Sequence, residues 1–305
     1  MRVDAHAHAS QEDWVADGWW TGLARQAAAI LPGVTPELVR EHLIPPMFDP
    51  DGSAQLGAME QAGIDVAIVF AFDWSTGPHW GPPAPVGWRE QNAWYRDLAA
   101  ANPGRIRWAF GADPRHPGAA LALRRAVRED GAVAMKIHPG NGFDLDDPAV
   151  YPAVEAAGEL DVPVICHVGP ISAPGRSRWA APERLDTLAA SFPEVRFVAA
   201  HCGNALWREV LAFCSVSPNV WVDLSGWQIR FQRNPDRFHA DVREVLEELG
   251  PGRVMWGSDA PHYRPAVPDD EYLRAFTDAP PGTYTAEEVE AITGATAATL
   301  FRLPS

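Results

Sequence analysis

Residues 2–8 read RVDAHAH. A short run, 2–6, leads straight into Asp4-Ala5-His6-Ala7-His8. Side chains alternate along a strand, so Asp4, His6 and His8 are expected on one face, where two imidazoles at i and i+2 converge on one cation. Further runs of this kind follow at 65–72, 106–112, 132–138, 162–168, 195–201, 220–224 and 253–259, rich in Val, Ile, Phe and Ala and almost free of charge. Strands buried on both faces of a parallel sheet read this way. Helix-like stretches lie between them. Pro148 behind Asp147 opens one, Pro182 another, and Asn234-Pro235 a third that closes at Gly250. Thr285-Ala286-Glu287-Glu288 is a capping box before the last helix. Eight alternations of this kind predict an α/β fold, a (β/α)8 TIM barrel, as one domain over 1–305. Two segments break the spacing. The first, 9–54, holds Trp14, Trp19, Trp20 and Pro45-Pro46 and reads as a Trp-rich insertion after strand one, a lid over the barrel mouth. The second, 74–88, is rich in Pro, Gly and Trp and follows strand two on the same face.

The composition narrows the partners. Lys+Arg number 25 against 40 Asp+Glu, a formal net charge of −15. Such a surface does not suit nucleic acid or anionic membrane, both of which need clustered cations. Hydrophobic residues at 47% and charged residues at 21% suit a globular chain with a large core. The three cysteines, 166, 202 and 214, suggest no disulfide scaffold and fit a reducing compartment. No stretch reads as a signal core or a membrane span. The expectation is a soluble, cytoplasmic protein that acts on a small-molecule substrate.

Active sites of such barrels lie at the C-terminal ends of the strands. Strand one ends in His6 and His8, strand four in Lys136-Ile137-His138, strand five in Cys166-His167, strand six in His201-Cys202 and strand eight in Gly257-Ser258-Asp259. One HxH pair means little, and one buried histidine is usually a hydrogen-bonded core residue. Several imidazoles and a carboxylate, all at one rim, are costly to bury without a cation among them. The pattern therefore points to a divalent metal site. His138 and His262 are expected near the substrate, with a turn residue as the bland reading of His138. Asp4 is expected to orient an imidazole as a hydrogen-bond acceptor. Cys166 and Cys202 have the opposite parity and are expected to face the helices. Trp227, Arg230 and the segment 111–116 are further mouth candidates, whereas His42, His79, His116 and His239 read as mostly solvated.

With these residues in place, the chain resembles the amidohydrolase superfamily, and within it the amidohydrolase-2 branch, which includes aminocarboxymuconate semialdehyde decarboxylase. The matching pieces are VDAHAH at 3–8, MKIHPG at 135–140, VPVICHVG at 162–169, FVAAHCGN at 197–204 and WGSDAP at 256–261. The resemblance implies one divalent ion, Zn2+ first with Mn2+ or Fe2+ as alternatives, held by His6, His8, His167 and Asp259. It implies a catalytic or substrate-polarising role for His201 and a proton-transfer role for Asp259. Lys136 reads as a contact for a substrate carboxylate or a partner of Asp259; a carbamate bridging two metals, with His167 and His201 at the second, is the alternative. A homodimer is also implied.

Two reactions fit this pattern. One is hydrolysis of a small ester, lactone or amide by metal-activated water. The other is non-oxidative decarboxylation of an aromatic or enoic acid. A decarboxylase of the semialdehyde type is expected to carry a basic residue in the helix before strand two, and SAQLGAMEQAG at 53–63 has none. That departure favours hydrolysis, with Arg25, Arg40 or Lys136 as substitutes in the other reaction. A non-catalytic binding barrel is the third reading, and the complete ligand set argues against it.

Overall fold

The computed structural model describes every residue except 32, 75, 76 and 305. Residue 32 falls in the 9–54 segment and residues 75 and 76 in the 74–88 segment, so those parts of the expected mouth insertions lie outside the described residues. Eight strands form: β1 (Val3–Ala7), β2 (Val66–Phe70), β3 (Ile106–Gly111), β4 (Met135–Ile137), β5 (Val164–His167), β6 (Phe197–Ala200), β7 (Val220–Asp223) and β8 (Val254–Met255). They make one parallel sheet in sequence order. No long ladder joins β8 to β1. The seam is closed by Ala5 N–H to Trp256 O at 3.2 Å, Asp259 N–H to His6 O at 2.8 Å and His8 N–H to Ala260 O at 2.8 Å. The protein is thus a TIM barrel, with helices between its strands.

Two apolar layers hold it. Alternate strand residues such as Ala67, Val69, Trp108, Phe110 and Cys166 pack outward against the helices. The others, including Val66, Ile68, Phe70, Ile165, Val198 and Met255, fill the interior, which Ala297, Leu300 and Phe301 plug at the base. Each large aliphatic or Phe side chain buried in this way contributes about 1.5–3 kcal/mol. The expected helix signals appear at their places. Asp147 caps a short turn, Pro148–Val150, that leads into Tyr151–Glu159. Asn234 accepts from Arg237 N–H to start Pro235–Leu249, and Thr285 and Glu288 complete the capping box. Among the described residues, no helix is long and apolar enough to cross a membrane.

The strand β1 departs from simple alternation. Val3 pairs with Val66 and Asp4 with Ala67, but Ala7 pairs with Val69, so one extra residue lies between Asp4 and Ala7. Such a bulge reverses the facing of the residues beyond it. His6 and His8 therefore turn inward with Phe70, while Asp4 does not share their face. Asp4 accepts instead from Ser258 N–H (2.9 Å), Ser258 Oγ–H (2.6 Å) and His6 N–H (3.1 Å). The expectation that it orients an imidazole is corrected: it ties the chain after β8 to β1.

Candidate metal centre

The inward face of β1 presents His6 and His8. His6 Nδ1–H donates to Asp223 Oδ2 at 3.0 Å, and His8 Nδ1–H donates to the Phe70 carbonyl at 2.9 Å. A carboxylate and a carbonyl only accept, so both rings carry their proton on Nδ1 and turn a bare Nε2 lone pair inward. Each Nε2 is buried without a partner and lies 3.5 Å from Asp259 Oδ1. Lone pairs facing a carboxylate at that distance repel unless a cation lies between them.

A second chain of bonds fixes His201 and His167. Ser225 Oγ–H donates to Asp223, and His201 Nδ1–H donates to Ser225 Oγ at 2.8 Å. His201 Nε2 is then an acceptor, and His167 Nδ1–H donates to it at 3.1 Å. This leaves His167 Nε2 bare, buried and unpartnered as well. By distance alone, His6, His201 and Asp259 offer donor atoms within 4.8 Å of one another. The hydrogen bonds separate them differently. His201 has both nitrogens committed, whereas His6, His8 and His167 each keep a free Nε2. Three such nitrogens and one carboxylate suit Zn2+, Mn2+ or Fe2+.

Local backbone sets these positions. His201 and Asp259 follow β6 and β8 with φ of 62° and 48°, left-handed values that cost free energy for side-chain-bearing residues. His201 N–H donates to Asp223 Oδ1 at 2.9 Å, and its carbonyl accepts from Trp227 Nε1 at 2.8 Å, which hold the turn. Burial pushes His8 down to about 3 and His201 to about 4, and holds His138 and His167 well below the ordinary imidazole value. Burial alone would raise Asp259, but the imidazoles of His201, His262, His8 and His6 outweigh it and hold the carboxyl well below its ordinary range. At neutral pH these four rings are uncharged and the Asp259 carboxyl is ionised.

The remaining candidates meet at the same mouth. Lys136 Nζ is buried without a hydrogen-bond partner, 4.9 Å from the Phe70 ring centre. Burial pushes it down to about 8. The His138 ring stacks on His167 at 4.2 Å, and its Nδ1 accepts from Gly140 N–H at 3.0 Å. His262 Nδ1 lies 3.9 Å from Asp259 Oδ1. Above them, Trp19 of the helix Asp17–Ile30 meets Phe72, Trp74, His138 and His262.

Other expectations are corrected. Trp227 lies behind His201, fully buried, and Arg230 pairs with Asp241 at 2.8 Å, away from the mouth. In the 111–116 segment, Arg115 pairs with Asp113 and His116 with Asp73. Arg25 is exposed, and Arg40 pairs with Asp17 at 2.6 Å. His79 contacts the Gly140 carbonyl at 2.8 Å and His239 the Tyr284 hydroxyl at 2.9 Å, so His79, His116 and His239 are engaged rather than solvated. Cys166 and Cys202 pack in the outer layer, and burial pushes the Cys166 thiol up to about 12. Sequence reading missed Asp223 and Ser225. The signal was there: Asp223 ends strand seven, at the rim position where the other strands carried their polar residues.

A parallel barrel with three bare imidazole nitrogens and a carboxylate at its mouth defines a (β/α)8 protein with a candidate divalent-metal site. The amidohydrolase family model matches residues 3–303, and the chain belongs to that family. It is 28% identical over 127 residues to L-fucono-1,5-lactonase of Burkholderia ambifaria, a match covering 38% of this chain and 41% of that protein. A Burkholderia multivorans amidohydrolase with bound zinc superposes with a TM-score of 0.71 at 20% identity, covering 100% of both chains. A 5-carboxyvanillate decarboxylase from Novosphingobium aromaticivorans, with bound manganese and 3-methoxy-4-hydroxy-5-nitrobenzoic acid, gives 0.69 at 19% identity, covering 99% of this chain and 97% of that one.

Proposed function

We propose that this chain is a metal-dependent hydrolase that opens a small ester, lactone or amide with water activated at one divalent ion, Zn2+ in first place. The observation that carries it is the pair of buried, unpartnered Nε2 atoms on His6 and His8, each 3.5 Å from the Asp259 carboxylate, with a third such atom on His167. An ion held by these residues supplies Lewis acidity and a water pKa lowered to about 7. The chain does the rest. Asp259 accepts a proton from the attacking water and passes it to the leaving group. His201 Nδ1–H, 3.7 Å from Asp259 Oδ2, swings from Ser225 to the developing oxyanion. Lys136, His138 and His262 bind and orient the substrate. The partial likeness to a lactonase supports this reading.

Decarboxylation of an aromatic acid is the second reading. The cluster of Trp19, Phe72 and Trp74 at the mouth favours it, because apolar rings receive an aromatic ring and shed water from a carboxylate. The two readings separate in one experiment. Zinc-loaded protein is screened against lactones, esters and aromatic acids with CO2 and acid release followed together. Acid production without gas is expected; CO2 release from an aromatic acid overturns the hydrolase assignment. Metal analysis should give about one equivalent per chain, and a chain that takes up no metal overturns both.

A further inference from the structure

Trp20, Trp80, Trp94, Trp108, Trp221 and Trp227 each donate the indole N–H to a backbone carbonyl. Trp19 and Trp74 do not: both indole nitrogens are buried and have no acceptor. Trp256 is the other such indole among the described residues, and it packs on Tyr272 among the helices. The Trp19 and Trp74 rings meet at 4.7 Å and 32°, in one cluster with Trp80 at the mouth. A buried N–H without an acceptor forfeits the hydrogen bond that it makes in water, so two of them side by side call for a partner.

The protein around them has no acceptor to spare. Gly140 lies against the Trp74 ring, but its carbonyl already takes His79 Nε2–H at 2.8 Å and Trp80 Nε1–H at 2.7 Å, which fills both lone pairs. The His138 ring is 5.2 Å from Trp74 and 6.2 Å from Trp19. Gly140 N–H occupies its Nδ1 at 3.0 Å, so the neutral ring carries its proton on Nε2 and offers a donor, not an acceptor. Phe72, which meets both indoles, has no polar atom on its ring. The missing partner therefore comes with the ligand, as an oxygen that accepts without donating. A ketone, ester or ether oxygen does this. A hydroxyl or an amine brings a proton of its own to a place where nothing accepts it. Neither indole is charged, so the oxygen need not be, and the surrounding rings suit a flat, apolar body.

We propose that Trp19 and Trp74 form a two-donor subsite for a neutral carbonyl or ether oxygen on a flat substrate, a specificity element apart from the groups that do the chemistry. It deepens the hydrolase reading and rests on it for the reaction alone. The oxygen held here is a second group on the substrate, not the one at the bond that breaks, and its binding does not need the metal.

The test uses full-length, zinc-loaded protein and two isosteric probes, acetophenone and isopropenylbenzene, which differ only in C=O against C=CH2. Titration followed by NMR gives the ratio of their dissociation constants. Trp19→Phe and Trp74→Phe each keep a ring and remove the N–H. Each is expected to lower the ketone's advantage about fivefold, the scale of one neutral hydrogen bond, with the alkene as the control for lost packing. A ratio that either replacement leaves unmoved overturns the proposal, because the ketone oxygen then lies on the metal or on another donor. Should a variant not fold, isotope-labelled wild type decides: the Trp19 and Trp74 indole N–H signals move downfield with acetophenone and stay put with isopropenylbenzene, or the subsite is wrong. Protein that holds no zinc yet shows the Trp-dependent ratio sinks the metal reading alone.

Discussion

The Asp223 carboxylate accepts from His6 Nδ1, from the His201 N–H and from Ser225, so one side chain fixes both the ring proposed to hold the metal and the residue proposed to act in catalysis. Asp223→Asn should weaken zinc binding about 10–100-fold in a chelator competition, the usual cost of losing such a support. The four rings divide cleanly. His167→Ala should come off a metal column without zinc, whereas His201→Ala should keep its zinc and lose turnover. Retained zinc in His167→Ala would reverse the assignment. At this scale much was legible, because His6, His8, His138, His167 and Asp259 sit at strand ends and strand ends meet at one rim. Asp223 ends a strand too, but a lone Asp without a His beside it gave no motif to follow. Its role emerges only when the His6 ring is seen to need an acceptor.

Among the elements, β1 decides which residues face the centre. Its extra residue between Asp4 and Ala7 leaves no mark in the sequence, because Ala5 and Ala7 read alike on either face. Strict alternation therefore put Asp4 beside the imidazoles, and the bulge puts it on Ser258 instead. Asp4→Asn should cost about 1–3 kcal/mol in urea unfolding, since an amide cannot accept from all three donors there. The helix starts were far easier to read, because a cap is local chemistry. Asn234→Ala, which removes the acceptor for Arg237 N–H, should cost about 1 kcal/mol in the same measurement. The contacts of the helix Asp17–Ile30 were harder to read, since its Trp19 meets side chains from beyond β2 onward that only the closed barrel brings together.

Over the whole molecule, the buried rings govern the response to acid. His8 and His201 titrate at about 3 and about 4 in the folded protein against an ordinary 6.5, and His138 and His167 are lowered as well. The unfolded chain takes up these protons first. Their contribution is therefore complete above pH 6.5 and is lost as pH falls towards 4. Asp4, raised to about 7 by burial and then by Asp269, opposes this over the same window, four imidazoles against one carboxyl. The melting temperature of EDTA-treated protein should therefore fall between pH 7 and pH 4.5; a flat profile would contradict the neutral-ring arrangement. The closed barrel was visible from the recurring apolar runs, but the make-up of its seam was not, because β8 is only two residues long and joins β1 through scattered bonds. His6 and His8 stand on one lip of that join and Asp259 on the other. A cation held between them would act as a rivet through the hoop, so that staving the cask would begin where the rivet is drawn. Stripping the ion should speed amide exchange at Ala5, His8 and Asp259 and leave the staves at β4 and β5 tight.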